Sequence, residues 1–251
     1  MKFKKILFKL VRMPLSWEGR KFLSKLINII KINKATVNVS DLNEVGYRYI
    51  KSFVDGSVVS KIVQELDNCK LFDQWDKSVG NFTLSNVPES CHVGNYAKQD
   101  IMAVDEIQKI VFSPELKEIA ETYLGGRAYL TDVSVWWSFG GKKAPQEAEL
   151  FHRDLDNLLW LKFFIYLTDV DNSSGPHVFI PHSHKSKKKL KFQRFTDEEA
   201  TDLFGKPIIF IGNRGDLIIE DTFGLHKGQF ISSCSRRLIL QFQYAALPKL
   251  Y

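Results

Sequence analysis

The sequence predicts an antiparallel β sandwich or jelly roll standing behind a layer of N-terminal helices. Three observations predict it. Helical periodicity is concentrated before Gly126. From Tyr129 onward the chain turns into short runs rich in β-branched and aromatic residues, bounded by turn signals such as Asn172-Ser173-Ser174-Gly175-Pro176 and Gly212-Asn213-Arg214-Gly215. Only one helical island, Thr196 to Leu203, interrupts those runs, so no crossover helices are available for a βαβ fold. The 251 residues are 44% hydrophobic, with nineteen Phe, enough to bury one substantial core.

Residues 1–34 form a basic amphipathic segment with ten Lys/Arg and one acid, Glu18, hence +9. The whole chain is +6, so the remainder carries −3. Phe3, Ile6, Leu7 and Leu10 share one helical stripe, and Phe22, Leu26, Ile29 and Ile30 another. Pro14 separates them, and Ser16 can cap the second helix. Two placements stay open: the stripe packs on the main domain, or the helix lies on an anionic membrane surface. Residues 35–251 are expected to form one domain, with a helical layer over 35–126 and a jelly-roll core over 127–251. Within the layer, 56–68 has helical spacing, 73–100 suggests loops with short strands, and 104–124 holds one or two helices. Ser113-Pro114-Glu115 restarts the last helix and Gly125-Gly126 ends it. The predicted strands are YLTDVSVWW, LKFFIYLTDV, HVFIP, PIIFIG, DLIIED and RRLILQFQY.

Several function classes are excluded early. Cys69, Cys91 and Cys234 lie far apart, giving neither a disulfide framework nor a cysteine metal site. There is no GxGxxG, no P-loop and no GxSxG elbow. No stretch suits a bilayer span or a secretory signal, so a cytoplasmic protein is expected, with residues 1–34 the candidate for peripheral membrane contact.

The chemistry concentrates in Phe151-His152-Arg153-Asp154, just before a strong strand. Residues i and i+2 of an extended segment point to one side, so His152 and Asp154 can reach one metal together. Gly224-Leu225-His226-Lys227-Gly228, after the run DLIIED, offers a third ligand. Two imidazoles and a carboxylate with open positions left over form the facial triad of non-haem Fe(II) oxygenases. Arg236 and Arg237 open the last strand and are candidates to grip a carboxylate in a bidentate pair. Strand parity lets only one face inward. Arg236 shares a face with Leu238, Leu240, Phe242 and Tyr244, Arg237 with Ile239, Gln241 and Gln243. Core-burial logic turns the apolar face, and Arg236, inward.

From Phe151 to Ala245 the sequence resembles the phytanoyl-CoA dioxygenase family of Fe(II)/2-oxoglutarate oxygenases. The pieces that carry the resemblance are FHRD, FFIYLTDVDNSSGPHVFIPHSHK, GNRGDLIIEDTFGLHKG and RRLILQFQY, in the family's order. It implies a double-stranded β-helix of the cupin-like kind, with Fe(II) on His152, Asp154 and His226. It implies 2-oxoglutarate and O₂ as co-substrates, hydroxylation of a small organic or acyl-type substrate, and release of succinate and CO₂. The family's spacing places the 2-oxoglutarate anchor on Arg237, against the burial logic, and the spacing is preferred. Tyr166, Thr131 and Lys98 are expected to join Arg237 at the co-substrate, and Trp136, Trp160, His177 and Arg236 to stand on the substrate side. The family's halogenating relatives lack the carboxylate, so Asp154 favours hydroxylation. Two departures concern the substrate: His182-Ser183-His184 where the family often has Gly-Ser-His, and Lys227 to Ser233 in place of its usual Gly/Pro/Asn-rich stretch.

His184 is expected to be a structural hydrogen-bonding residue, with His92 and His182 in loops or at the surface. The basic run Lys185, Lys187, Lys188, Lys189, Lys191 and Arg194 suits either a solvated loop or a CoA-linked or otherwise acidic small substrate. Two other function classes remain as alternatives: a non-catalytic jelly-roll binding protein, and a nucleic-acid-modifying oxygenase. The slightly acidic body argues against nucleic acid.

Overall fold

A computed structural model of the chain describes residues 15–27, 37–141, 144–190, 193–231 and 234–249. The helices come first and each has a local cause. Helix α1 (Trp17–Ile27) starts where Ser16 Oγ accepts from Gly19 N at 3.3 Å. After the short α2 (Ser40–Glu44) and strand β1 (Tyr47–Ile50), Asp55 caps α3 (Gly56–Leu66) through Ser57 N, and α3 buries Val59, Ile62 and Leu66 along one stripe. Helices α4 (Lys98–Ala103) and α5 (Asp105–Val111) lead to α6 (Pro114–Leu124), which has Pro at its start and the left-handed Gly125 at its end.

The strands make two antiparallel sheets. The large one contains β1, β2 (Leu71–Phe72), β3 (Asn81–Phe82), β4 (Val93–Tyr96), β5 (Tyr129–Phe139), β6 (Trp160–Tyr166), β9 (Leu217–Glu220) and β11 (Arg236–Ala245), in the order β1-β9-β6-β11-β5-β4-β2-β3. The small one is β10 (His226–Gly228), β7 (His177–Phe179) and β8 (Ile208–Phe210), in that order. Helix α7 (Asp197–Phe204), opened by a Thr196–Glu199 capping box, lies on the outer side of the small sheet, where Phe151, Val178, Ala200 and Leu225 cluster.

Two cores result. On the outer face of the large sheet, Val133, Val135, Leu238, Leu240 and Phe242 pack with Ile62, Ile107, Leu116 and Ile119 from the helices. Between the sheets, Phe164, Tyr166, Phe179, Phe210, Ile218 and Ile239 line a lumen. The architecture is the jelly roll expected from the sequence. Among the elements that escaped the sequence reading are α2, β1, β2, α4 and β10; β1 edges the large sheet, and β10 is three residues long and too short to show periodicity.

Helix α1 corrects the stripe expectation. It docks by a polar edge: Arg20 is fully buried, giving hydrogen bonds to the carbonyls of Asn157 (3.0 Å) and Leu158 (3.1 Å), and Ser24 Oγ donates to Leu124 O at 2.7 Å. Trp17 Nε1 donates to Tyr123 Oη at 2.9 Å. Leu15, just before it, and Leu23 add apolar contact with Leu158 and Leu247. Phe22 and Leu26, expected to pack, are 63% and 55% exposed. Phe3, Ile6, Leu7, Leu10, Pro14, Ile29 and Ile30 lie outside the described residues.

Candidate metal centre

His152 follows a short extended segment that pairs with β10 across one antiparallel bridge. His152 N donates to His226 O at 3.0 Å and His226 N to His152 O at 3.1 Å. This reciprocal pair brings residues 74 positions apart face to face, with ring centroids 4.3 Å apart. Gly224 makes the approach possible, since a Cβ there would meet Phe179 at 2.6 Å. Asp154 is fixed by its N–H to Thr222 O at 2.9 Å and keeps the parity of His152.

Both imidazoles are oriented in the same way. Nδ1 of His152 lies 2.9 Å from Leu150 O and Nδ1 of His226 lies 3.0 Å from Gly224 O. Each Nδ1 therefore carries the proton and each Nε2 presents its lone pair. Those Nε2 atoms lie 3.6 Å (His152) and 3.3 Å (His226) from the Asp154 oxygens. Ligands about 2.1 Å from a metal and at right angles to each other are about 3.0 Å apart. One ligand atom from each of the three residues lies within 4.8 Å of the others, and among the described residues this is the only such group of three. Burial and the neighbouring His226 push His152 down to about 3, so it is neutral and ready to ligate. Burial raises Asp154, but Lys162 and the two histidines outweigh it and hold the carboxyl well below its ordinary range. Burial opposes protonation of His226, while Asp154 raises it more strongly. The donor set and its geometry fit Fe(II).

A second layer of charge was not foreseen. Lys162 Nζ bridges Asp154 Oδ2 (2.7 Å) and Asp156 Oδ2 (2.9 Å), capturing one oxygen of the ligand carboxylate. His177 Nε2 meets Glu220 Oε2 at 2.8 Å, and the His177 ring lies 5.8 Å from that of His226. Burial lifts the Glu220 carboxyl to about 8, and its Oε1 has no partner. A signal for both was present: charged residues at lumen parity in the otherwise apolar strands WLKFFIY and LIIE.

Arg237 and Arg236 separate cleanly. Arg237 is 4% exposed on the lumen face, where Nη1 donates to Gly175 O and Nη2 to Ser138 Oγ at 3.2 Å. Its Nε has no partner, and among the described residues no acidic side chain pairs with it. A buried guanidinium without a counter-ion fits an incoming carboxylate. Gly228, two residues past His226, lets the guanidinium come within 3.3 Å of where a Cβ would be. Arg236 is exposed and lies over the Trp137 ring at 4.9 Å, away from the lumen.

The remaining candidates divide. Tyr166 is in the lumen near Arg237, but its hydroxyl already donates to Phe210 O (2.8 Å) and accepts from His177 N (2.9 Å). Trp136 and His177 line the lumen; Trp136 is half-buried there. Thr131 is not brought to the Arg237 end. It sits at the β5 bulge with Gln243, seven residues from Ser138, about 23 Å along a strand. Lys98 is exposed at the start of α4, which packs on β5 from the helical layer. Trp160 shares the parity of Lys162 but lies past the lumen, bonded to Thr222 and packed on Phe223 beneath Arg20. His184 is buried against Asn43 O and Trp17, and His182 is exposed. His92 is half-buried beside Glu149 at 3.2 Å. Lys191 of the basic run and Ser232 and Ser233 of the altered loop lie outside the described residues. A surface cavity of about 570 Å³ lies against Phe151, Val178 and Lys227 on the outside of the small sheet, and none of the three metal-site residues lines it.

The family model described as phytanoyl-CoA dioxygenase matches residues 42–236. No curated protein matches the sequence significantly. Among solved structures, the chain is similar to iron-bound EctD from S. alaskensis (17% identity, 85% of this chain and 78% of that one, TM-score 0.59). It is also similar to the epimerase SnoN, solved with Fe3+ and alpha ketoglutarate (15%, 82% and 80%, 0.58). HygX from Streptomyces hygroscopicus, solved with nickel and 2-oxoglutarate, gives 13%, 83% and 87%, and 0.53. At these identities the likeness is one of fold.

Proposed function

The chain belongs to the phytanoyl-CoA dioxygenase family of Fe(II)- and 2-oxoglutarate-dependent enzymes, and on that premise we propose that it hydroxylates a small organic substrate, releasing succinate and CO₂. The observation that carries this reading is Arg237, a buried lumen guanidinium with an unpartnered Nε, in the same lumen as the triad.

Fe(II), when bound, supplies the O₂-activating chemistry, with 2-oxoglutarate as the electron source. The chain's own residues do the rest. His152, Asp154 and His226 would hold the metal and would leave coordination positions open for co-substrates. Lys162 holds Asp154 Oδ2, which fixes the carboxylate's rotation. Arg237 and Ser138 take the far carboxylate of 2-oxoglutarate, and Trp136, Phe164 and Ile239 exclude water from its middle.

The substrate side is polar. Asp132, Ser134, Gln241 and Gln243 follow one another across β5 and β11, with Gln243 beside Lys162 in register. This strip favours a substrate with hydrogen-bonding groups over a bare aliphatic chain.

The test is succinate release by purified protein with Fe(II) and 2-oxoglutarate, screened against polyols, amino compounds and acyl thioesters. Substrate-dependent succinate with a hydroxylated product is expected. Failure of 2-oxoglutarate to bind the Fe(II)-loaded protein would overturn the proposal.

A further inference from the structure

Helix α1 is an amphipathic helix mounted the wrong way round for a core element. Its buried positions are Arg20 and Ser24, and its exposed ones include Phe22 (63%), Leu26 (55%) and Ile27 (42%). Three of the seven large apolar side chains exposed among the described residues thus fall within six consecutive positions. Hydrogen bonds to Asn157, Leu158 and Leu124 fix the edge of Arg20 and Ser24, and Phe22 and Leu26, one turn apart, lie on the opposite side and project outward.

Cationic side chains flank the helix, around the exposed Glu18 one turn before Phe22. Lys25 is exposed on the same helix. Lys185 stands over the Trp17 ring at 5.3 Å, and the run continues through the exposed Lys187, Lys188 and Lys189. Backbone and Ser16 hydrogen bonds hold the Glu18 carboxyl below its ordinary range, and Lys187 and Lys185 add to the effect, which places the run near the first turn of α1.

We propose that α1 and the neighbouring lysine run form a docking surface for an anionic lipid membrane, with Phe22 and Leu26 inserted among the acyl chains. A helix projecting from the body by its apolar face presents no groove for a partner's side chain, but it matches a planar interface. Lysines beside the apolar residues then meet lipid phosphates. Among the described residues no helix is long and apolar enough to cross a membrane, so the contact is peripheral. The surface is independent of the reaction assigned to the lumen.

Flotation of the full chain with phosphatidylglycerol–phosphatidylcholine vesicles, and with phosphatidylcholine vesicles alone, tests this. Binding to the anionic vesicles is expected, at least about tenfold weaker to the neutral ones and weaker as salt is added. Phe22→Asp with Leu26→Asp should lower binding more than about tenfold while Fe(II) binding and the melting temperature are kept. The milder Phe22→Ala with Leu26→Ala serves if the charged pair disturbs folding. No flotation of the unaltered chain overturns the proposal, as does undiminished flotation of both double variants. A concentration-dependent dimer that the same substitutions dissolve would also overturn it, assigning the face to a second copy.

Discussion

The two faces of β11 come from alternate residues of one strand and are held by opposite chemistry. Leu238, Leu240, Phe242 and Tyr244 pack against the helical layer, with Phe242 stacked on Phe163 at 4.8 Å. Arg237, Gln241 and Gln243 turn the other way, each with hydrogen-bonding partners in the lumen. The outer face supplies stability through burial, and the inner face accepts polar and charged groups that a core would reject. Covering a sheet on both sides lets one strand do both tasks.

Five substitutions break or sharpen that contrast. The largest effect is expected from Asp154→Ala on the lumen side. It should abolish succinate release and weaken Fe(II) binding by more than the roughly 10–100-fold cost of losing an outer partner of a metal ligand. Metal titration and turnover check it, and retained activity would remove Asp154 from the ligand set. Next, Phe242→Ala on the helix side should cost about 3–5 kcal/mol of stability in a urea melt. Fe(II) bound per folded molecule should not change; a large loss of affinity would mean that the two faces are coupled.

The third comparison sets neighbouring arginines against each other. Arg237→Ala leaves a carboxylate unpaired in a partly desolvated site, and should weaken 2-oxoglutarate binding by about 2–5 kcal/mol. Arg236→Ala removes an exposed side chain over Trp137 and should change the 2-oxoglutarate requirement little. The reverse ranking would relocate the anchor.

The last comparison concerns pH. Burial raises the folded-state pKa of Glu220 from its ordinary 4.5 to about 8. The folded state therefore binds more protons than the unfolded state between those values. That contribution is fully present below about 4.5 and is lost as pH rises through 8. In metal-free protein, Glu220→Gln should flatten the fall in stability between these pH values; an unchanged slope would place its cause elsewhere.

What the sequence determined by itself was local. Strand periodicity from Tyr129, the shared parity of His152 and Asp154, and the alternation along RRLILQFQY are properties of an extended backbone, and they hold whatever packs against it. The glycine-flanked His226 was already a candidate third ligand in the sequence, and the resemblance joined it to that motif. Tertiary structure decided the rest. Burial logic pointed the apolar face of β11 inward and was wrong, because a period-two pattern cannot say which of two covered faces is the lumen. Trp160 has the lumen parity of Lys162 yet closes the end beneath Arg20, since parity fixes a side and not a depth. Thr131 and Lys98 fell away for the same reason: their distance from Arg237 is set by bulge and helix placement. Lys162, Glu220 and His177 gained their roles only when β6, β9 and β7 brought them beside the triad. Helix α1 shows the limit most directly. Its stripe was legible, but which edge it buries depended on carbonyls at Leu124, Asn157 and Leu158, about 100 or more residues away. Hydrogen-bond partners at that separation are set by the closed fold, and a helical repeat of 3.6 residues carries no record of them.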